Sequence, residues 1–149
     1  MPKDIPLSEI VLRKYEKPYN IDKRQLVKKI CLSLGLLQPG DSRDVVVDIL
    51  MVLIDSRKEK QKLDSVEIGK RVEVTRKEHN LEIKGLAESN LRRQLKRLRD
   101  LMIIEKQNNL YYMSEFDSLS NIFDDKIHKF IVEPSIARIK EYLNELEKQ

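Results

Sequence analysis

A mostly α fold with one small β-hairpin is what this sequence predicts, and three observations carry the prediction. Charged residues make up 36% of the chain, while Gly numbers only 4 and Pro 5, a balance that favours helix over an all-β architecture. Apolar residues recur at steps of three and four along most of the chain, the spacing that gathers them on one helix face. One interruption has a different pattern: the apolar triplet Met102–Ile104, an Asn-Asn pair and a Tyr-Tyr pair follow each other in the order strand, loop, strand.

The chain's 149 residues suffice for one domain with extensions, or at most two small domains. Hydrophobic residues reach 40% but aromatic ones only 5%, with no Trp, so the core is expected to be aliphatic. A single cysteine, Cys31, excludes an internal disulfide framework and a Cys-based zinc site, and it suits a reducing compartment. Met1 to Lys17 is charged throughout, unlike a secretory signal. The longest apolar stretch, Val45 to Ile54, is broken by Asp48 and is about half of a bilayer span. These features predict a cytoplasmic protein. Net charge is +4, unevenly spread: Arg57 to Arg99 holds 14 Lys/Arg against 7 Asp/Glu, whereas Glu115 to Gln149 holds 5 against 8. A basic middle suggests a surface for a polyanion, and an acidic tail suggests a separate task.

Residues 1–40 read as an arm and a helix that pack on the core or on a dimer partner. The arm carries Pro2, Pro6 and Pro18; Arg13, Lys14 and Lys17, interleaved with Tyr15 and Tyr19, suit nucleic acid, and the simpler reading packs them on the domain. Asp22 and Gln25 form a capping box for a helix with Leu26, Val27, Ile30, Cys31 and Leu34 on its apolar face, ended by Gly35. Residues 41–114 form the central module. Asp41 or Ser42 should cap a helix from Arg43 to about Lys58. Its run VVVDILMVLI has strand-like composition, but Asp44, Asp48 and Asp55 align on one helical stripe, so it reads as a buried central helix. After a charged linker, Lys58 to Lys62, Ser65 opens a helix with Ile68 and Val72 inward, reaching to about Asn80. The next helix, about Ala87 to Asp100, places Leu91, Leu95, Leu98 and Met102 on one stripe and Ser89, Arg93, Lys96 and Asp100 opposite, with Asn90, Arg92, Arg97 and Arg99 on the flanks. Strands Met102 to Lys106 and Leu110 to Met113 then flank a Gln107-Asn108-Asn109 loop, where Asn tolerates positive φ.

Residues 115–149 are expected to form a helical pair that dimerises. Ser118 caps the first helix, which carries Leu119, Ile122, Phe123, Ile127, Phe130 and Ile131, and Pro134 opens the second. Ile136, Ile139, Leu143 and Leu146 follow at steps of three, four and three, a seam of about two heptads that must pack on something.

The run SNLRRQLKRLRDLMIIEK, after two helices and before a hairpin, resembles the winged helix-turn-helix of small archaeal and bacterial transcription regulators. The resemblance covers about Asp41 to Ser114, half the chain. It implies a winged-helix core with helical extensions at both ends, whose third helix enters the major groove of duplex DNA. Carried onto this chain, it implies DNA contacts by Ser89, Asn90, Arg92, Arg93, Lys96 and Arg97. Arg93 has the donors for guanine and Asn90 for adenine, while Lys96 and Arg97 suit phosphates. Lys70, Arg71, Arg76 and Lys77 on the preceding helix also suit phosphates, and Asn108 and Asn109 would reach DNA from the wing. One departure from the family stands out: the wing tip is neutral, with only Lys106 beside it.

A homodimer joined through Ile136, Ile139, Leu143 and Leu146, with Phe123 and Phe130, would complete such a regulator. The competing reading is a winged-helix scaffold for protein partners, since that fold also serves interaction. A third, metal-dependent nuclease reading needs Asp64 with Glu82 and Lys84 on a buried strand, yet Glu82-Ile83-Lys84 falls between helices. His79 and His128 stand apart from each other and from Cys31, and neither a Gly-rich phosphate loop nor a Gly-flanked Ser nucleophile occurs. The sequence thus predicts no enzyme, cofactor or metal, and marks no small-molecule pocket.

Overall fold

The computed structural model describes residues 4–149, so Pro2 of the arm lies outside it. Its architecture is mostly α with a small β-hairpin wing. In chain order it has α1 (Lys23–Ser33), α2 (Val45–Arg57), α3 (Ser65–Glu78), α4 (Glu88–Asp100), β1 (Ile104–Gln107) and β2 (Leu110–Met113). A 3-10 turn at Ser114–Phe116 leads to α5 (Leu119–Ile122), a π-helical stretch (Phe123–Val132) and α6 (Glu133–Glu147). No described helix is long and apolar enough to cross a membrane.

Helix α2 is the axis of the core. Ten of its residues are buried, and Val47, Ile49, Leu50 and Leu53 are sealed from solvent. Its neighbours α1, α3, α4 and β2 supply Cys31, Ile68, Val72, Leu95, Leu98 and Met113 to the same cluster. Burial pushes the Cys31 thiol up to about 12, so it acts as a small apolar side chain. Neither Asp41 nor Ser42 caps α2. The cap position belongs to Asp44, whose carboxylate caps no N–H and instead reaches guanidinium groups on α1 and α3. Half of the predicted α1 capping box forms: Asp22 accepts from the Gln25 N–H at 2.8 Å, the N-cap bond without the reciprocal one from the Gln25 side chain.

Helices α3 and α4 meet closely because Gly69 has no side chain: a Cβ there would lie 3.0 Å from Leu91 Cδ1. α3 is capped by Asp64 at 2.8 Å and stops at Glu78, before Asn80 turns left-handed at φ 55°. Leu91, Leu95 and Leu98 bury the inner stripe of α4 as predicted. Met102 does not extend it. The helix ends at Asp100, Met102 takes φ 64°, and Leu101 and Ile103 enter the core instead. The hairpin therefore starts two residues later than predicted, with Ile104 paired to Met113 and Gln107 to Leu110. Its loop is Asn108-Asn109 alone, both at positive φ (52° and 62°), the geometry of a two-residue turn matched to strand twist.

A third strand position lies just after the predicted linker. Leu63 exchanges both backbone hydrogen bonds with Tyr111, at 3.0 and 2.7 Å, which pins the start of α3 to the wing. At the C-terminal end, α5, the π-helical stretch and α6 run end to end; Pro134 lies in the first turn of α6, as predicted, but α6 continues the preceding run without a break. Proline supplies no N–H and crowds the preceding turn. The run accommodates it by widening into π-type turns just before, and Ser135 Oγ donates to the Ile131 carbonyl at 2.6 Å. Ile122, Ile127 and Ile131 anchor the first half of this run to the core; no residue of α6 is buried.

Candidate nucleic-acid interface

Burial of Leu91, Leu95 and Leu98 rotates the basic face of α4 outward, leaving Ser89, Arg92, Arg93 and Lys96 exposed. These side chains are not equivalent. Arg92 is tied to Glu88 at 2.8 Å and Lys96 to Asp100 at 3.1 Å, both exposed i,i+4 pairs that a polyanion can displace at small cost. Glu88 also accepts from the buried Ser65 hydroxyl at 3.0 Å, so it ties α4 to the start of α3. Among the described residues Arg93 has no carboxylate partner. Its guanidinium donates to Asn90 Oδ1 at 2.6 Å, and Asn90 is fixed in turn by donating to the Gly85 carbonyl at 2.8 Å. Gln94 also donates to Asn90 Oδ1, at 3.3 Å. Asn90 therefore serves as a support for Arg93, with its carbonyl and its amide nitrogen both engaged within the protein.

Two predicted phosphate contacts sit elsewhere. Arg76 is only 5% exposed. It donates to Asp44 at 3.0 Å, to Asp48 at 2.7 Å and to the Glu82 carbonyl at 2.7 Å. Arg24 from α1 reaches the same two carboxylates, at 3.1 Å to Asp44 and 2.9 Å to Asp48. This buried four-charge network is what the aspartate stripe of α2 serves, and it removes Arg76 from any surface role. Asp55, the third member of the stripe, is exposed and pairs with Lys23. Arg97 is half-buried and donates to Gln94 at 2.8 Å and to the Gly35 carbonyl at 3.2 Å, joining α4 to the end of α1. On α3, Lys70 is exposed, Lys77 is exposed and paired with Glu73 at 3.4 Å, and Arg71 is half-exposed against Glu67 at 3.0 Å.

The wing is less neutral than its tip. Asn108 and Asn109 are exposed at the turn, and Lys62, from the predicted linker, lies along the hairpin. Its ammonium donates to Gln107 Oε1 at 2.7 Å and sits 4.7 Å over the Tyr112 ring, while Lys106 lies 5.7 Å over Tyr111. A shallow depression between wing and α4 is lined by Arg92, Lys106 and Asn109, and by the carboxylates of Asp64 and Glu88. Sequence reasoning missed Lys62 because one isolated bridge has no periodicity to detect.

The arm packs on its own domain. Arg13 donates to the carbonyls of Leu32 at 2.9 Å and Leu37 at 3.1 Å, placing a cation at the C-terminal end of α1, where the helix dipole favours it. Tyr15 is half-buried under Lys29, while Lys14, Lys17 and Tyr19 remain exposed. Among the predicted dimer residues, Phe123 packs against the chain's own core. Phe130, Ile136, Ile139, Leu143 and Leu146 are each about half to two-thirds exposed, with Tyr142 beside them. Glu82 and Lys84 pair with each other at 3.0 Å in an exposed turn, and Asp64 is used as the α3 cap. Among the described residues, no three His, Cys, Asp or Glu side chains gather as a metal-ligand group. No protein-family model matches the chain, and no curated protein or solved structure is significantly similar to it.

Proposed function

We propose that the chain is a winged-helix DNA-binding regulator that reads duplex DNA with α4 in the major groove and works as a homodimer. The order helix, bridging strand, helix, basic helix, hairpin supports the winged-helix reading. The observation that carries the DNA reading is Arg93: an exposed guanidinium without an acidic partner among the described residues, held on the outward face of α4 by Asn90. It has the bidentate geometry that guanine takes. Lys96, Arg92, Lys62 and Lys106 surround it as phosphate partners. Arg93→Ala should cost about 1–3 kcal/mol at one base-pair position of a selected site, whereas Lys96→Ala should weaken all sequences alike. Binding to variant duplexes by fluorescence anisotropy separates the two patterns; a uniform loss for both would remove Arg93 from base reading.

The exposed stripe Ile136, Ile139, Leu143 and Leu146 supports the dimer, because a two-heptad seam facing water is costly for a lone chain. Two-fold symmetry would then set two α4 helices about 34–36 Å apart, one per successive major groove. Leu143→Glu should convert the dimer to a folded monomer, read by light scattering with unchanged circular dichroism. A wild-type chain that is already monomeric at high concentration would end the dimer reading. The second reading, a scaffold for protein partners, draws on the same uncovered α6 stripe and gains if duplex DNA fails to bind at low salt.

A further inference from the structure

A cleft of about 910 Å³ opens between the loop that joins α1 to α2, the Glu82–Gly85 turn and one flank of α4. That volume is within the range of pockets that hold small ligands. Its charges are mostly settled within the protein. Arg43 pairs with Asp41 at 3.4 Å, Lys84 with Glu82 at 3.0 Å, and Arg76 with Asp44 at 3.0 Å. Two cations are not: Arg93 and Arg97 both line the cleft, one turn apart on α4, and neither has a carboxylate partner among the described residues. Each is steered by neutral acceptors only, Arg93 by Asn90 and Arg97 by Gln94 and the Gly35 carbonyl, so both keep their full charge and spare N–H donors. Leu36, Leu37 and Val45 add an apolar side to the cleft, and Arg97 is less exposed than Arg93.

We infer that this cleft binds a small phosphorylated ligand, whose phosphate bridges Arg93 and Arg97 while its uncharged part rests toward Leu36 and Val45. Paired guanidinium forks fit phosphate oxygens, and a half-buried Arg97 suits a small ligand better than the broad backbone of a duplex. The inference needs no DNA binding and is tested without it. Inorganic pyrophosphate and adenosine 5′-monophosphate, with adenosine as the uncharged control, are titrated into the full chain by calorimetry. Saturable binding of the phosphorylated probes but not of adenosine is expected, weakened about tenfold or more by Arg93→Gln and by Arg97→Gln. Arg99→Gln, an equal charge loss on another side of the same helix, should leave it unchanged, and Arg93 is exposed enough that its variant folds. Absence of saturable binding by either phosphorylated probe overturns the inference, as does an equal loss in Arg99→Gln, which would mean diffuse attraction only. A short duplex distinguishes the source of the phosphate. If only the duplex binds, and Arg97→Gln weakens it, the phosphate belongs to DNA and the small ligand is ruled out. If the probes bind and the duplex does not, this inference stands and the DNA reading falls.

Discussion

Asp48→Ala is expected to destabilise the fold by about 3–5 kcal/mol, the typical cost of removing one partner from a buried ion pair. Asp48 is fully buried and accepts from both Arg24 and Arg76, so its loss leaves two guanidinium groups sharing Asp44 alone. Urea unfolding measures the change. The comparison is Asp55→Ala, two turns along the same stripe in the exposed pair with Lys23, which should cost less than about 1 kcal/mol. Equal effects for the two variants would mean that the buried network contributes nothing specific. Acid provides a second readout. Burial pushes the Asp44 carboxyl up, but hydrogen bonds and charge from Arg76 and Arg24 outweigh it and hold the group below its usual 3.8. A depressed carboxylate contributes stability above its unfolded value, and that contribution is lost as pH falls below 3.8 through the folded value. Wild-type stability should therefore fall more steeply in that acid window than that of Asp44→Asn.

Duplex affinity should drop about a thousandfold between roughly 50 and 200 mM salt, if a dimer neutralises about six phosphates. The donors are the exposed cations around α4 and the wing, three or so from each protomer, including Lys96, Lys62 and Lys106. Lys62→Gln should flatten the salt slope by about one unit for each phosphate lost from the dimer, without changing the preferred sequence. A flat salt response with retained binding would contradict an electrostatic groove contact, and no binding at all at low salt hands the chain to the scaffold reading.

Periodicity made most of this fold legible. The stripes of α1, α2 and α4, the Asp22 and Ser118 caps and the Asn-Asn turn were all local signals, and they are in place except that Leu26 of α1 is exposed and Met102 lies beyond α4. Signals that depend on distant partners were silent. Arg76 read as a surface cation because nothing near it in sequence announces that Asp44 and Asp48 wait across the core. The stripe of aspartates on an otherwise apolar helix was a trace of that network, but a trace without its partners. The same limit hid the Leu63 bridge and the cleft beside Arg97, which exist only once the α1–α2 loop folds against α4. Pro134 marked the first turn of α6, but nothing local announced that α6 continues the preceding π-helical stretch without a break.

The buried network also bears on how sharply the chain folds. α2 brings two carboxylates into the core, while one guanidinium arrives with α1 and the other with α3. A partly assembled state with only one of those helices docked would carry an uncompensated charge in an apolar interior. Such states are penalised from either side, so α1 and α3 are driven to dock together. The consequence is cooperativity: opening α1 alone should be nearly as costly as unfolding the module, and amide exchange in α1, α2 and α3 should proceed through one shared event.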